Sequence, residues 1–237
     1  MEHARLTLDS NPNNPTGAVL PIEFLLKVAE IARRYNILVF SDEVFSPMYF
    51  TELTPPSFVS IGYANSVATG SLSKAFAIPG IRLGWIVTQN AELMYKVSKA
   101  RDYTTLSVSQ LDDSVAAFAL DPAVLPNLMK RNLALCKESI AILDGFVKRN
   151  VKQCHWVKPR GAGTAFLQIL DRDRKPVDDA EFSKKLSEEE SVCVIPGAHC
   201  FSEGSSDDFK GYVRITLGDP NLLRESLPLL ERFLQKI

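Results

Sequence analysis

The sequence predicts an α/β protein, in which a three-layer sandwich around a mostly parallel sheet is followed by a smaller α+β domain. Before Asp121, short apolar strands alternate with amphipathic helices, as is typical of strands that are buried on both faces. After Asp121-Pro122, a long helical pattern gives way to a mixture of short strands and helices. We therefore predict a sheet-containing domain over residues 1–120 and a small α+β domain over residues 121–237.

The first domain is predicted to contain four strands. In chain order they are Arg5 to Leu8, Ile37 to Phe40, Ser66 to Ser71 and Leu83 to Thr88. Helical patterns occupy Pro21 to Arg34, Ala91 to Arg101 and Ser109 to Ala119. The segment DSNPNNPTG cannot be helical, because proline restricts the residue before it and asparagine and glycine favour turns. Ligands bind at the carboxyl ends of the strands in such sheets, which is where we expect Asp42 and Lys74.

The second domain is predicted to open with one long helix, Ala123 to Arg149. Short strands follow near Trp156 and at Thr164 to Ile169, and then a helix at Asp178 to Glu189. The remaining predicted elements are the strands Val192 to Ile195 and Tyr212 to Leu217 and a last helix from about Asn221 to Leu234.

Composition and charge argue against several classes of protein. The 237 residues are 46% hydrophobic and 23% charged, as in an ordinary soluble globular protein. A formal charge of −1 without blocks of like charge makes nucleic acid or an anionic membrane a poor main partner. No apolar run reaches the length of a membrane span, and the N-terminus has no hydrophobic signal region. The four cysteines form no CxxC pair, which favours reduced thiols over a disulfide framework or a metal site, so a cytoplasmic protein is expected.

The stretch ATGSLSKAFAIPGIRLGW, Ala68 to Trp85, carries the strongest chemical signal. Lys74 lies beside Ser71 and Ser73, and Arg82 follows a Pro-Gly turn. Hydroxyls, turn amides and a guanidinium suit a phosphate dianion, because charged donors strengthen each hydrogen bond, and a lysine can bind an aldehyde as a Schiff base. The stretch is therefore a candidate site for a phosphorylated aldehyde. Taken alone, Lys74 is more typical of a solvated surface lysine, and Arg82 is equally typical of a surface ion pair.

Two more polar residues lie where a ligand is expected. Asp42 follows a buried strand, where an unpaired carboxylate would be costly, so it either caps a helix or pairs with a buried cation such as a protonated ring nitrogen. Asn14, within NNPTG, is by default a turn-former through its own side-chain bonds. Its functional interpretation is an amide donor to a ligand oxygen.

Four motifs occur in one order along the chain: NPNNPTG (Asn11 to Gly17), SDEVF (Ser41 to Phe45), SLSKxxxxPGIRLGW (Ser71 to Trp85) and YVRI (Tyr212 to Ile215). Together they resemble the class I and II aminotransferases, which are pyridoxal-phosphate enzymes of fold type I. The resemblance covers essentially the entire chain. The stretch Arg101 to Leu120 further resembles a branch that includes capreomycidine-synthase-like proteins.

The resemblance implies a cofactor, pyridoxal 5'-phosphate, and a reaction in which an amino group moves between an alpha-amino acid and a 2-oxo acid. Lys74 would bind the cofactor as a Schiff base and then act as the base that moves the substrate's alpha proton. Asp42 would pair with the pyridinium nitrogen and keep it protonated. Asn14 would donate to the ring's phenolate oxygen and also contact the substrate.

The remaining roles concern the two anionic groups. Ser71 and Arg82 would hold the phosphate, with help from Ser73. Arg214 would bind the substrate's alpha-carboxylate in a bidentate pair. No metal site is implied. Relatives are usually dimers, so the complete form is expected to be a homodimer. Arg101, Tyr103, Thr104 and Thr105 fall where relatives place a loop near the active site and are candidates for substrate contact.

Two features depart from the family pattern. Relatives mostly carry a tyrosine three residues after the pyridinium aspartate, whereas this chain has Phe45, which has no hydroxyl for the phenolate oxygen. The chain also begins in what resembles the middle of the family's large domain. We therefore expect an N-terminally truncated product, gene model or fragment.

Other functions remain open. The run Ser71-Leu-Ser-Lys74 fits the S-x-x-K pattern of penicillin-recognising enzymes, but the S-D-N and K-T-G motifs are missing from the sequence. Cys200 beside His199 is better explained as two structural residues than as a nucleophile and its base. Within the same fold, a pyridoxal-phosphate-dependent lyase or cyclase is an alternative. An alternative from a different functional class is a non-catalytic pseudoenzyme or interaction protein that has kept the motifs.

Overall fold

The computed structural model describes residues 5–8, 10–202 and 209–237. The chain divides into two compact units, and the predicted domain boundary at residue 120 stays a prediction. The first unit consists of the chain up to Asn14, Ala18–Asn132 and Arg160–Ala162, and the second consists of Pro15–Gly17, Leu133–Pro159 and Gly163–Ile237.

The first unit contains a four-stranded sheet. Its strands are β1 (Arg5–Leu8), β2 (Leu38–Asp42), β3 (Ser66–Ser71) and β4 (Gly84–Val87), paired in the order β1-β2-β3-β4. The first three strands are parallel, whereas β4 runs antiparallel to β3. The connection from β3 to β4 contains turns and one short 3-10 helix, without the crossover helix that a parallel pair needs. The prediction of an α/β fold with a mostly parallel sheet is confirmed.

Helices α1 (Ile22–Tyr35), α2 (Ala91–Arg101) and α3 (Gln110–Ala119) also belong to the first unit. The apolar side of α1 packs on the sheet in a cluster formed by Leu25, Ala29, Ala32, Val39, Phe58 and Tyr63. Helix α1 ends at Asn36, whose left-handed backbone lets its N–H bond to carbonyls of the last turn. The side-chain oxygens of Asn90 and Ser109 cap the N-termini of α2 and α3, because each accepts a hydrogen bond from a backbone N–H of the first turn.

Helix α4 (Leu125–Arg149) leads from the first unit into the second, whose sheet is antiparallel. Its strands are β5 (Cys154–Trp156), β6 (Thr164–Ile169), β7 (Ile195–Pro196) and β8 (Tyr212–Thr216), in the order β5-β6-β8-β7. The other helices of this unit are α5 (Asp179–Glu190), α6 (Gly197–Phe201) and α7 (Pro220–Leu234). Buried residues of α4, α5, α7 and β6 form its core, among them Leu143, Phe146, Leu167, Leu186 and Phe233.

The predicted strand Val192 to Ile195 is wrong in its extent. Ser191 ends α5 in a left-handed conformation, and strand pairing begins only at Ile195. Pro196 then supplies no N–H for a longer ladder and stands at the start of α6, a short helix that the sequence did not predict.

In the part of the chain that the structure describes, no helix is long and apolar enough to cross a membrane. The same residues contain no cluster of three or more histidine, cysteine or acidic side chains that could hold a metal ion.

Candidate active site

Asp42 and Ser71 end two neighbouring parallel strands, so they lie at the same edge of the sheet. In the β2–β3 register Asp42 is paired with Thr69, two residues before Ser71. One carboxylate oxygen of Asp42, Oδ1, accepts hydrogen bonds from the Val44 amide and the Thr69 hydroxyl, both at 3.2 Å. Within the described residues these two bonds fall on Oδ1, which leaves Oδ2 as the acceptor for a ligand.

The turn that contains Asn14 is tied to the end of β2. The amide of Asn11 donates to the Asp42 carbonyl at 2.8 Å, and the buried Asn11 side chain accepts from the Leu20 amide at 3.0 Å. The backbone N–H of Asn14 donates to the Ser10 hydroxyl at 2.9 Å. Asn14 therefore lies three residues after Asn11, whose backbone is bonded to that of Asp42. The anchoring role of Asn11 was not predicted from the sequence, although the repeated asparagines of NPNNPTG were the signal for it.

Lys74 lies against the residue that departs from the family pattern. Its side chain is exposed, and its Nζ atom stands over the ring of Phe45, 6.0 Å from the ring centroid. Phe45 is only 8% exposed and follows Asp42 by three residues. An ammonium group above an aromatic face is attracted by the ring's quadrupole. Phe45 thus connects the turn after β2 with the lysine, a contact that the sequence did not predict.

Ser71 and Arg82, the predicted phosphate ligands, bind within the turn between β3 and β4. The Ser71 hydroxyl donates to the Leu83 carbonyl at 3.2 Å and accepts from the Ser73 amide at 3.1 Å. Arg82 has a left-handed backbone with φ of 51°, and its Nη1 donates to the Pro79 carbonyl at 2.9 Å. This bond uses one of five N–H donors of an exposed guanidinium.

Two contacts support the turn after β3 that contains Lys74, which we call the lysine turn. The buried side chain of Asn132, on α4, donates to the Ala75 carbonyl at 3.0 Å. On the sheet, Gly70 allows the indole of its strand partner Trp85 to lie across it, and Trp85 packs edge-on against Phe76 at 6.2 Å. Asn132 was not predicted from the sequence, where its signal was a polar residue at a helix position that the apolar pattern places in the interior.

Arg214 belongs to the second unit, whereas Asn14, Asp42, Ser71, Lys74 and Arg82 belong to the first. It lies on β8, between Phe166 of β6 and Ile195 of β7. Its guanidinium carbon is 5.5 Å from the centroid of the Phe201 ring. Partial burial lowers the pKa of Arg214 from its ordinary value, since the charged form is less well solvated there.

A cleft of about 900 Å³ runs along β4 in the first unit and reaches the loop after α2. Arg82 and Arg101 line it together with Trp85, Thr104 and Thr105, so three of the four candidate substrate contacts on that loop share a cleft with Arg82. Tyr103, the fourth candidate, is among the most exposed side chains and does not line the cleft.

Comparison with known proteins gives the family. Residues 6–228 match the aminotransferase class I and II family. The chain therefore belongs to the class I and II aminotransferases, as the four sequence motifs predicted.

Individual relatives extend beyond the region that matches. Nicotianamine aminotransferase A from Hordeum vulgare is 33% identical over 238 residues, covering 95% of this chain and 49% of that protein. A PLP-dependent aminotransferase structure from Streptococcus suis superposes with a TM-score of 0.86 at 30% identity, covering 98% of this chain and 57% of that one. The structure of the PLP-dependent cyclase OrfR has a TM-score of 0.82 at 26% identity, with coverage of 98% and 59%. The chain spans about half the length of the curated relatives it matches.

Proposed function

We propose that this protein is a pyridoxal-phosphate-dependent aminotransferase that transfers an amino group between an alpha-amino acid and a 2-oxo acid. The observation that carries the proposal is the position of Lys74. Its exposed amine lies over Phe45, and Phe45 follows by three residues the carboxylate that ends the neighbouring strand. Membership of the family and similarity to a PLP-dependent aminotransferase support the same reaction.

The donor set fits the cofactor. The Lys74 amine matches an aldehyde, the Asp42 carboxylate matches a protonated ring nitrogen, and the Arg82 guanidinium with the hydroxyl of Ser73 matches a phosphate. The Ser71 hydroxyl donates its one proton to the Leu83 carbonyl, so it would have to turn away from that carbonyl to donate to the phosphate. Oδ2 of Asp42 and most donors of Arg82 remain for these bonds, because their internal bonds use one atom each. When bound, pyridoxal phosphate would supply an electron sink for negative charge at the substrate's alpha carbon.

The residues of the first unit would orient the reacting groups and move one proton. The Nζ atom of Lys74 would take the proton from the alpha carbon and later return it. Asp42 would hold the proton on the ring nitrogen, and the Asn14 amide would donate to the ring oxygen and contact the substrate. Phe45 contributes a ring face without a hydroxyl, so the phenolate oxygen would have one donor fewer than in relatives with tyrosine.

Anchoring at two ends would restrict the reacting bond. Arg82, Ser71 and Ser73 would fix the phosphate, and Arg214 would fix the substrate's alpha-carboxylate through a bidentate pair. Holding these two groups would restrict which bond at the alpha carbon reacts. Orientation of this kind contributes a large part of many rate enhancements.

A covalent-labelling experiment tests the cofactor part of the proposal. We would titrate the protein with pyridoxal phosphate, follow the visible absorbance, reduce with borohydride and map the labelled peptide. The expected label is on Lys74 and is lost in Lys74→Ala. The matched control is Lys99→Ala, because Lys99 is another exposed lysine placed over an aromatic ring, that of Tyr95 at 5.7 Å. Equal labelling of Lys74→Ala and the wild-type protein would contradict the assignment.

The products of the labelled protein distinguish the reaction classes. A 2-oxo acid formed from an amino donor, with the amino group recovered on the acceptor, supports transamination. Ring closure, or ammonia release without an acceptor, would instead favour a lyase or cyclase, a second candidate that the similarity to the cyclase OrfR supports. A protein that takes no label at Lys74 would favour the non-catalytic pseudoenzyme or interaction protein.

The proposal includes a homodimer and a cytoplasmic location. Four free cysteines, of which Cys136 and Cys154 are buried, are compatible with a reducing compartment. Sedimentation analysis of the purified protein tests the dimer, and fractionation of expressing cells tests the location. A monomeric protein, or one recovered outside the cytoplasm, would overturn the corresponding part.

A further inference from the structure

We propose that Phe201 is a positioning residue for Arg214, and that its ring holds the guanidinium in the orientation that binds the substrate's alpha-carboxylate. This inference rests on the proposed function, because it assumes that Arg214 binds that carboxylate. It adds a residue outside the four family motifs, on the short helix α6 that the sequence did not predict.

The contact between the two residues is that of a cation on an aromatic face. The Arg214 guanidinium carbon lies over the Phe201 ring, 5.5 Å from its centroid. Arginine stacks on aromatic rings through its flat, delocalised cation. A guanidinium held against a ring face is restricted in its orientation and keeps its N–H donors for the bidentate pair that a carboxylate forms.

Phe201 is itself held by the strand next to Arg214. Phe166 lies opposite Arg214 in the β6–β8 register, and side chains of such pairs share one face of the sheet. Phe166 packs edge-on against Phe201, with ring centroids 6.0 Å apart and planes at 85°. It also stacks on Tyr212 at 4.8 Å. The ring under Arg214 is thus fixed by the residue across the sheet from Arg214.

The backbone of α6 is fastened to the beginning of β8. Asp179 is buried, and its two carboxylate oxygens accept from the amides of Ala198 at 3.0 Å and Gly211 at 3.3 Å. Gly197 permits close packing, because a Cβ atom there would stand 2.7 Å from the Tyr212 carbonyl and 2.8 Å from the Phe166 ring. Helix α6 therefore keeps Phe201 at a fixed place relative to the strand that carries Arg214.

This arrangement reduces the cost of binding a substrate. A free arginine side chain occupies many rotamers, and binding would have to select one of them. Restricting the guanidinium beforehand lowers the entropy lost on binding, which is the general advantage of preorganised sites. The gain applies to ligands that carry the alpha-carboxylate and to no others.

Kinetics with two substrates test the inference. Phe201→Leu is expected to raise KM for an amino acid about three- to tenfold, the range that corresponds to a cation–π contact, with little change in kcat. The matching amine, which lacks the alpha-carboxylate, should react equally well with both proteins. Phe201→Tyr should restore the KM of the wild type, because it keeps the aromatic face.

The control is Phe209→Leu. Phe209 packs on Phe166 and Tyr212 at 5.3 and 6.1 Å, so this variant removes a ring from the same aromatic cluster while keeping Phe201. Its KM should stay at the wild-type value. An unchanged KM in Phe201→Leu, or an equal loss with the amine, would overturn the inference.

A binding measurement without turnover separates this inference from the proposed function. Pyruvate would be titrated against the protein while NMR follows the Nε–H resonance of Arg214, assigned by its disappearance in Arg214→Gln. Phe201→Leu should weaken the pyruvate-dependent shift about three- to tenfold. If Arg214→Gln binds pyruvate as well as the wild type, the role of Arg214 fails. If Arg214→Gln loses binding and Phe201→Leu keeps it, only the role of Phe201 fails.

Discussion

Asn132 donates a hydrogen bond from Nδ2 to the carbonyl oxygen of Ala75, 3.0 Å away, and Ala75 directly follows Lys74. Asn132 is only 5% exposed and Ala75 is fully buried, so water cannot easily replace either partner. A buried carbonyl that loses its partner costs about 1–3 kcal/mol. The hydrogen bond therefore attaches the turn that carries Lys74 to helix α4.

Replacing Asn132 with leucine should remove this support. We expect Asn132→Leu to lower the free energy of unfolding by about 1–3 kcal/mol, measured by urea denaturation, because the Ala75 carbonyl is left unpaired. Asn127→Leu is the matched control, since Asn127 lies on the exposed side of the same helix. Equal stability of the two variants would contradict a supporting role for Asn132.

The fold was largely predictable because burial leaves a periodic pattern. The continuous apolar run of β2 and the 3.6-residue pattern of α1 gave their positions within one or two residues. The direction of β4 was not predictable from its own residues, because a short apolar strand is the same in either direction. The extent of β7 was misjudged for a related reason: Val192 is buried, but burial alone does not give strand pairing.

The site was predictable where a motif carried it and unpredictable where a contact is long-range. Asp42 and Lys74 were identified from strand ends and from resemblance, and their roles stay predictions. The bond from Asn132 to Ala75 joins residues that are 57 positions apart, which no local pattern reports. The sequence showed only that Phe45 lacks the hydroxyl of the usual tyrosine. Its ring contact with Lys74 became visible only in the folded structure.

Gly70 should be intolerant of a side chain. A Cβ atom at Gly70 would lie 2.2 Å from the indole of Trp85, so the ring has to move away from the strand behind the lysine turn. We expect Gly70→Ala to lower the free energy of unfolding by about 1–3 kcal/mol and to change the fluorescence of Trp85. The emission would be recorded in a Trp156→Phe background, because Trp156 is the other tryptophan of the chain.

Gly80→Ala supplies the comparison for this variant. A Cβ atom at Gly80 meets nothing within 4 Å, so stability and emission should stay close to those of the parent. The interpretation would be wrong if Gly70→Ala left the Trp85 emission unchanged.

Helix α3 presents an apolar stripe to solvent. Leu111 and Phe118 are 81% and 68% exposed and lie with Val115 at helical spacing on one side, while Ala116 and Ala119 are buried on the other. Contiguous exposed apolar surface promotes association. We expect the protein to bind a hydrophobic dye and to self-associate, and the double variant Leu111→Lys, Phe118→Lys to do both less.

Two exposed valines outside this stripe provide the control. Val151 and Val157 lie in the second unit, away from α3 in the chain. The double variant Val151→Lys, Val157→Lys adds the same charge and should keep most of the dye binding. Equal losses in the two double variants, measured by fluorescence and sedimentation, would show that net charge rather than the stripe controls association.

The stability of the protein should fall in acid partly through Glu190, at the end of α5. Its side chain is 2% exposed, and its carboxylate accepts hydrogen bonds from Arg232 and Lys236 on and just after α7. The hydrogen bonds from Arg232 and then from Lys236 lower the pKa of Glu190 from 4.5 to about 2. Folding thus favours the ionised carboxylate, which the unfolded chain protonates at a higher pH.

The pH window follows from the sign of this shift. Because the pKa is lower in the folded protein, the stabilisation is complete above about pH 4.5 and is lost as the pH falls toward about 2. Glu190→Gln should therefore be less stable than the wild type at neutral pH, and its free energy of unfolding should depend less steeply on pH within that window. Glu188→Gln is the control, because Glu188 makes an exposed ion pair with Lys184 at 4.0 Å among the residues that the structure describes. Chemical denaturation between pH 2 and pH 7 would measure all three proteins, and parallel curves for Glu190→Gln and the wild type would rule out this role for Glu190.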